Sequence, residues 1–495
     1  MINEKLFFLD QHGCAKNQVD GELIISELAS IGWKRTDEAE KASLFIINSC
    51  GFINSAKEDS LNSLFQTRKS FPHAKILLAG CLAERYADVF SENLKEADFI
   101  FGNGNISKIK DAVNSIFSDD EENRTLLCPQ TGISNGERIE FLNLPGSAYV
   151  KITEGCNNVC SFCAIPLIRG DLRSRPIDDI VSEIKNLLKR GVFEFNLIGQ
   201  DLASFGLGQG EGKEFGNLSE ATFKKCVSGS VNLNGGKSPL YHLLKKISEL
   251  DGDFWIRLLY IHPDNFPLDI LEVIREDKRI LPYFDIPFQS GDDSVILAMN
   301  RHGSSQKYIS LINKIRNECE QSYYKDCAIR TTFLCGFPGE TDKNAINTQM
   351  FVKEIKSDWA GCFAYSREEN TPAYSMKNQV SEKKSKKRCE ALEEIQSQIM
   401  TTNLTRHVGK TYRLLIEEIV EKSEDETTEE NQSSELEGIA IARAWFQAPD
   451  VDGSVVLYYD LENENEVKAI QCGKTVNAQI CGVSGVDLFA RYIGD

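Results

Sequence analysis

Short apolar runs alternate with helix-like stretches along most of the chain, and the alternation falls into three regions. In the first, residues 4–117, the segments 5–9, 43–48 and 74–79 read as buried strands, and 99–102 as a fourth. Segments 21–31 and 55–70 read as helices between them. Strand–helix alternation predicts a parallel sheet wrapped by helices. A polar stretch, 118–138, reads as a linker. The alternation resumes over 142–378, with strands expected at 148–152, 194–198, 255–259, 283–287, 329–334 and 361–365, and helices such as 177–190 and 241–250. Six strand–helix units suit a partial α/β barrel, whose working face lies at the C-terminal ends of its strands. A basic helical stretch, 383–406, leads to segments 412–420, 438–444, 453–459 and 476–482, which look like strands of a small β-barrel. The expected fold class is therefore α/β with three domains, at about 1–118, 142–380 and 404–495.

Length agrees: 495 residues exceed one core, and two to four domains are expected. No run of 18 uncharged apolar residues appears, and Met1-Ile2-Asn3-Glu4-Lys5-Leu6 lacks a secretory pattern, so a cytoplasmic protein is expected. Fifteen cysteines, an odd number spread over a long chain, argue against a disulfide framework and for reduced thiolates in metal or redox work. The formal net charge of −18 favours a basic protein partner over nucleic acid, although a local basic groove can sit within an acidic total. Two inserts stand out. Segment 206–236 is rich in Gly and Ser; its run Gly206-Leu207-Gly208-Gln209-Gly210 completes no nucleotide-binding fingerprint. Segment 424–437 is an acidic loop within the β-barrel region.

The strongest chemical signal is Cys156-Asn157-Asn158-Val159-Cys160-Ser161-Phe162-Cys163, just past an expected barrel strand. Three thiolates in one loop can hold three irons of a cubane and leave the fourth iron open to a small molecule. Structural zinc takes four protein ligands, and no fourth Cys or His lies nearby. A second set is dispersed. Cys14, Cys50 and Cys81 each follow an apolar strand by a few residues, at the edge where open α/β sheets bind ligands. Taken singly, each fits a small buried residue; their shared placement also admits a second three-thiolate cluster, and spacing alone leaves both readings open.

The C-x3-C-x-aromatic-C pattern resembles the signature of the radical S-adenosylmethionine (SAM) superfamily. Two three-cysteine sets in this order, followed by a small β-barrel, resemble the methylthiotransferases over nearly the whole chain. Gly13-Cys14-Ala15-Lys16-Asn17-Gln18-Val19-Asp20, Cys50-Gly51-Phe52-Ile53, Gly80-Cys81-Leu82-Ala83-Glu84-Arg85-Tyr86, Leu197-Ile198-Gly199-Gln200-Asp201 and Arg257-Leu258-Leu259-Tyr260 are similar to the ribosomal-protein (RimO) branch rather than the tRNA branch. Ala15 stands where that branch usually has proline, Ser49 where threonine is common, and both inserts are longer than typical.

The resemblance implies two 4Fe–4S clusters, SAM as cosubstrate, and a C-terminal TRAM domain that contacts the substrate. It implies cluster ligation by Cys14, Cys50 and Cys81 and by Cys156, Cys160 and Cys163, with Phe162 beside the adenine of SAM. It also implies an electron donor such as flavodoxin or ferredoxin. The expected reaction abstracts hydrogen from the β-carbon of an aspartate in small-subunit ribosomal protein twelve and places a methylthio group there. Gln200 and Asp201 end a barrel strand, which favours SAM contact. Arg169, Arg173 and Arg175 follow the cysteine loop and could pair with carboxylates, and Arg301 is a candidate for the substrate carboxylate. Glycines in Gly336-Phe337-Pro338-Gly339-Glu340-Thr341 suit close backbone approach to a ligand. The remaining cysteines read as structural. The alternatives are tRNA adenosine methylthiolation and a non-catalytic iron–sulfur carrier.

Overall fold

A computed structural model describes residues 5–118, 124–207, 236–421 and 437–494. Gly208-Gln209-Gly210 and nearly all of the insert, Cys226, linker residues 119–123 and acidic residues 424–436 lie outside the described residues.

The first sheet is built from β1 (Leu6–Gln11), β2 (Lys34–Arg35), β3 (Leu44–Ser49), β4 (Lys75–Gly80), β5 (Phe99–Phe101) and β6 (Thr125–Leu126). Their order is β2-β1-β3-β4-β5-β6, with every pair parallel. Helices α1 (Ala15–Ala29), α2 (Asn54–Ser70), α3 (Cys81–Asn93) and α4 (Ile109–Ile116) cover it. Alternation along β3 explains the layering: Leu44 and Ile46 join α1 and α4 in one apolar core, while Phe45 and Ile47 join α2 and α3 in another.

The second sheet contains β7 (Ser147–Lys151), β10 (Glu194–Ile198), β11 (Trp255–Leu258), β12 (Ile280–Asp285), β13 (Ala328–Cys335) and β14 (Trp359–Ala364), adjacent in that order and all parallel. Two short strands, β8 (Thr153–Glu154) and β9 (Arg173–Ser174), form a separate pair and flank α5 (Ile165–Arg169). Among the helices that follow are α6 (Ile177–Lys189), α7 (Pro239–Ser248), α8 (Ile270–Glu276), α9 (Asp293–Ala298), α10 (Ser305–Cys319), α11 (Asp342–Ile355) and α12 (Glu382–Thr405). This is the expected partial barrel. The fourth strand begins three residues earlier than expected, at Ile280, because Ile280 and Leu281 are fully buried.

The third unit is a closed barrel, β15 (Thr411–Val420), β16 (Glu437–Arg443), β17 (Val455–Asp460), β18 (Thr475–Ser484) and β19 (Asp487–Gly494), ordered β15-β16-β17-β19-β18, with the short α13 (Glu464–Ala469) outside it. The fifth strand was not anticipated. It returns from β18 through a two-residue turn in which Gly485 adopts φ +59°, beyond the last expected strand at 476–482.

The loop after β16 docks into the N-terminal half of the second sheet. Glu194, fully buried at the start of β10, accepts from Arg257 Nη2 at 2.8 Å and from Arg443 Nη2 at 2.6 Å. Arg257 also donates to the Trp445 carbonyl (2.7 Å), Trp359 Nε1 to that of Phe446 (2.8 Å), and the Tyr283 hydroxyl to Asp452 (2.6 Å). The barrel module thus occupies one end of the central sheet and leaves the other, the C-terminal strand ends, for chemistry. Among the described residues no helix is long and apolar enough to cross a membrane.

Candidate functional site

The dispersed cysteines converge. β1, β3 and β4 are neighbours, and just beyond their carboxyl ends stand Cys14, Cys50 and Cys81. Cys14 caps α1, and Cys81 is the first residue of α3. Glycines let the three loops close: a Cβ on Gly13 would lie 3.1 Å from Cys50 Cβ, and one on Gly51 would lie 2.6 Å from the Cys81 carbonyl oxygen. Asn17 knits the loops from one side chain, its Nδ2 donating to the carbonyls of His12 (2.8 Å), Asn48 (3.1 Å) and Ser49 (3.2 Å).

The thiols feel one another. Burial pushes Cys50 up to about 12, with Cys81 and then Cys14 adding to it. Burial also raises Cys81, against the pull of Arg169. At Cys14 the cost of desolvation is outweighed by Lys16, Arg169 and two backbone N–H groups, which together hold the thiol below its ordinary value. Cys81 is buried, Cys50 half-buried and Cys14 exposed at the rim. Cys50 and Cys81 are unfavourable when ionised and bare, and the positive charge of an iron–sulfur cluster would relieve that cost. Among the described residues no three His, Cys, Asp or Glu side chains are grouped as ligands of a single ion. Three thiolates are the donor type that iron–sulfur clusters take.

The second set lies at the C-terminal end of the central sheet. Val159, immediately before Cys160, adopts φ +45°, a costly conformation for a β-branched residue, and Asn300 Nδ2 holds its carbonyl at 3.0 Å. The Ser161 N–H donates to Met299 O at 3.0 Å, and the Ala373 N–H to Ser161 O at 2.8 Å, fixing the loop to two further segments. Asn158 Nδ2 donates to Cys156 Sγ (3.4 Å) and to Asp201 (2.8 Å). Burial and then Asp201 push the Cys156 thiol up to about 12; burial raises Cys163 still further, helped by Cys160.

The other expected contacts divide. Phe162 packs against Val295, Met299, Phe337 and Ala373 beside the cysteine loop. Gln200 lies two residues past the end of β10, with both amide atoms buried and without a hydrogen-bond partner, the state expected of a group that meets a ligand. Asp201 is buried and spent internally: it accepts from Asn158, Ala203 N, Ser204 and His262 N, so it shapes the loop. Arg301 donates to the Pro287 carbonyl at 2.6 Å and stands 6.0 Å from the Phe162 ring, beside the cysteine loop. At Gly336 the close neighbour is a helix, not a ligand. A Cβ there would fall 1.8 Å from Ser385 Oγ, so the glycine admits α12 rather than a ligand.

Sequence reasoning missed how the two sites join. α5 begins two residues after Cys163, and its flank packs on the other site: Cys81, Ala164 and Ile168 form one buried cluster. Arg169 ends α5, 3% exposed, and its Nη2 donates to Cys81 Sγ at 3.2 Å and to Asn17 Oδ1 at 3.3 Å. Its Nη1 pairs with Asp20 (2.8 Å) and Glu154, and Lys151 bridges the same two carboxylates at 2.6 and 3.1 Å. Arg173 and Arg175 donate instead to backbone carbonyls, with Arg175 also pairing with Glu183.

Comparison with known proteins adds three family matches: Uncharacterized protein family UPF0004 over residues 6–102, the Radical SAM superfamily over 150–352, and the TRAM domain over 408–493. A protein of Treponema denticola named "Ribosomal protein uS12 methylthiotransferase RimO" is 49% identical over 97% of this chain and 99% of its own length. Proteins of the same name from a Thermoanaerobacter species (36% identical; 97% and 98% covered) and from Carboxydothermus hydrogenoformans (32%; 99% and 100%) also match. Among solved structures, the radical SAM methyltransferase TsrM from Kitasatospora setae covers 75% of this chain and 77% of its own, at 10% identity and TM-score 0.49.

Proposed function

From the premise that this chain belongs to the RimO family of ribosomal protein uS12 methylthiotransferases, we infer that it is a radical SAM enzyme that transfers a methylthio group to uS12. It uses SAM and 4Fe–4S clusters. When bound, the clusters supply the electron for reductive cleavage of SAM and a place from which the methylthio sulfur is given up.

The residues of the chain do the rest. Cys156, Cys160 and Cys163 hold the SAM-cleaving cluster, and Cys14, Cys50 and Cys81 the auxiliary one. Phe162 and the unpartnered amide of Gln200 bind SAM, while Asp201 keeps Asn158 and the His262 loop in register beneath it. Burial and the nearby Arg301 charge hold His262 well below its ordinary pKa, so it stays neutral beside Cys160, 4.0 Å away. The acceptor is the β-carbon of an aspartate of uS12. The net charge of −18 favours a basic protein partner over tRNA. A low-potential one-electron protein such as a flavodoxin or ferredoxin feeds the site. The reaction belongs in the cytoplasm, where thiols stay reduced.

The observation that carries the site assignment is the convergence of two three-cysteine sets at the carboxyl ends of two parallel sheets. The test offers the reconstituted enzyme, SAM and reductant both uS12 and bulk tRNA. A methylthio mass gain on an aspartate of uS12 with tRNA unchanged is expected. Cys50→Ala should lose one cluster's iron and the transfer while still cleaving SAM to 5′-deoxyadenosine; wild-type iron content in that variant would overturn the ligand assignment.

A further inference from the structure

We propose that Arg169 is a positioning residue that sets the reduction potential of the auxiliary cluster through its N–H···S bond to Cys81, tying that potential to the loop that cleaves SAM. The proposal rests on the ligand assignment above. Its ground is geometric. Arg169 arrives from the SAM-cluster side of the molecule, yet its guanidinium lies against the sulfur of the other site, 3.2 Å away. Asn103 Nδ2 adds a second, longer donor to the same sulfur at 3.6 Å.

Hydrogen bonds to ligand sulfur and a nearby positive charge both favour the more negative, reduced form of a cluster and so raise its potential. Arg169 supplies both at once. Its charge cannot drift, because Asp20, Glu154 and Asn17 grip the guanidinium from three sides in a buried setting, where a charge acts over a low dielectric. The arrangement also suits the reaction. Transfer of a methylthio group to a carbon radical would form one C–S bond and leave one electron behind at the auxiliary site that Cys14, Cys50 and Cys81 would hold. A fixed cation against Cys81 makes that electron easier to hold.

A merely structural cation would need only to neutralise Asp20 and Glu154. Lysine can do that, but its single ammonium cannot span two carboxylates and a sulfur as the planar fork does. The test therefore compares the full-length holoenzyme with Arg169→Lys and Arg169→Gln after anaerobic reconstitution. Iron content is measured, and the potential of the auxiliary cluster is followed by electron paramagnetic resonance, with SAM added to move the other cluster's signal away. The expected result is wild-type iron content with a lower auxiliary potential in Arg169→Lys and a lower one still in Arg169→Gln. Methylthio product per 5′-deoxyadenosine should fall several-fold alongside. A wild-type potential in iron-replete Arg169→Lys overturns the proposal. If Arg169→Gln fails to retain iron, Asn103→Leu, which removes the weaker donor and no charge, must show a smaller shift of the same sign, and no shift there also overturns it. Failure of the ligand assignment would show separately, as unchanged iron in Cys50→Ala.

Discussion

Replacing Glu194 by glutamine should unseat the C-terminal barrel from the central sheet. The Glu194 carboxylate is fully buried and accepts from Arg257 Nε (3.1 Å) and Nη2 (2.8 Å), from Arg443 Nη1 (3.1 Å) and Nη2 (2.6 Å), and from Ser147 Oγ (2.9 Å). Glutamine offers one acceptor oxygen and turns an NH2 toward a guanidinium. Arg443 keeps Glu417, and Arg257 keeps the Trp445 carbonyl and the Tyr283 ring but no carboxylate of its own, so a buried set that was neutral gains a net positive charge. Breaking one member of a buried ion-pair group costs about 3–5 kcal/mol, roughly 150- to 4,000-fold in the docking equilibrium. Trp255, Trp359 and Trp445 share the core cluster at this junction, so tryptophan fluorescence during urea unfolding reports the event. The two arginines outweigh burial and hold Glu194 well below the usual carboxylate range. Its stabilisation is therefore present above the unfolded value of 4.5 and lost as pH falls below it, so the gap between wild type and variant should be full at pH 7 and narrow in acid. An unfolding midpoint equal to wild type at pH 7 would refute the reasoning.

Three further outcomes are expected. Gln200→Leu should leave thermal stability unchanged, since its amide has no partner to lose, while raising the KM for SAM in 5′-deoxyadenosine formation by about tenfold, one hydrogen bond's worth; a loss of stability with normal KM would mark Gln200 as structural. Val159→Gly should relieve left-handed strain of about 1–3 kcal/mol against a glycine penalty of about 1 kcal/mol, so the cluster-free protein should melt no lower than wild type, and a clear fall would count against the strain. Asp20→Asn leaves Lys151 and Arg169 sharing only Glu154 and should cost about 3 kcal/mol, seen as faster limited proteolysis between the first two sheets; protection equal to wild type would show that the ion-pair group is not what joins them.

What the sequence made legible was whatever depended on local pattern. The apolar runs within 43–48 and 74–79 marked central strands of a parallel sheet, and a cysteine a few residues past each gave away the edge at which they meet. The spacing of Cys156, Cys160 and Cys163 needed no fold at all. Two of the misses, the start of α1 and the contact of Arg169, share a cause, which is polar surface buried between units. The first turns of α1 bury Lys16, Asn17, Asp20 and Glu22 against the cysteine loops, the central sheet and the linker, so no apolar stripe announced the helix before Gly21. Arg169 was a candidate partner for carboxylates and does pair with two, but its contact with Cys81 spans 88 positions and two units, and no spacing encodes that. At Gly336 the sequence signalled close approach correctly and left open what approached; the neighbour is Ser385 of α12.

The short helix between the two cysteine sets has a consequence for which changes in length the chain can tolerate. Each residue of an α-helix advances the direction of a side chain by about 100°. One residue inserted between Ala164 and Ile168 would swing position 169 more than a quarter-turn away from Cys81, and one deleted would swing it as far the other way. Surface loops absorb such changes at small entropic expense, but here an insertion would break a contact on which two distant halves of the fold agree. The stretch from Cys163 to Arg169 is therefore a fixed gauge: homologous enzymes can lengthen their loops and trade surface residues, yet should keep this interval at the same count.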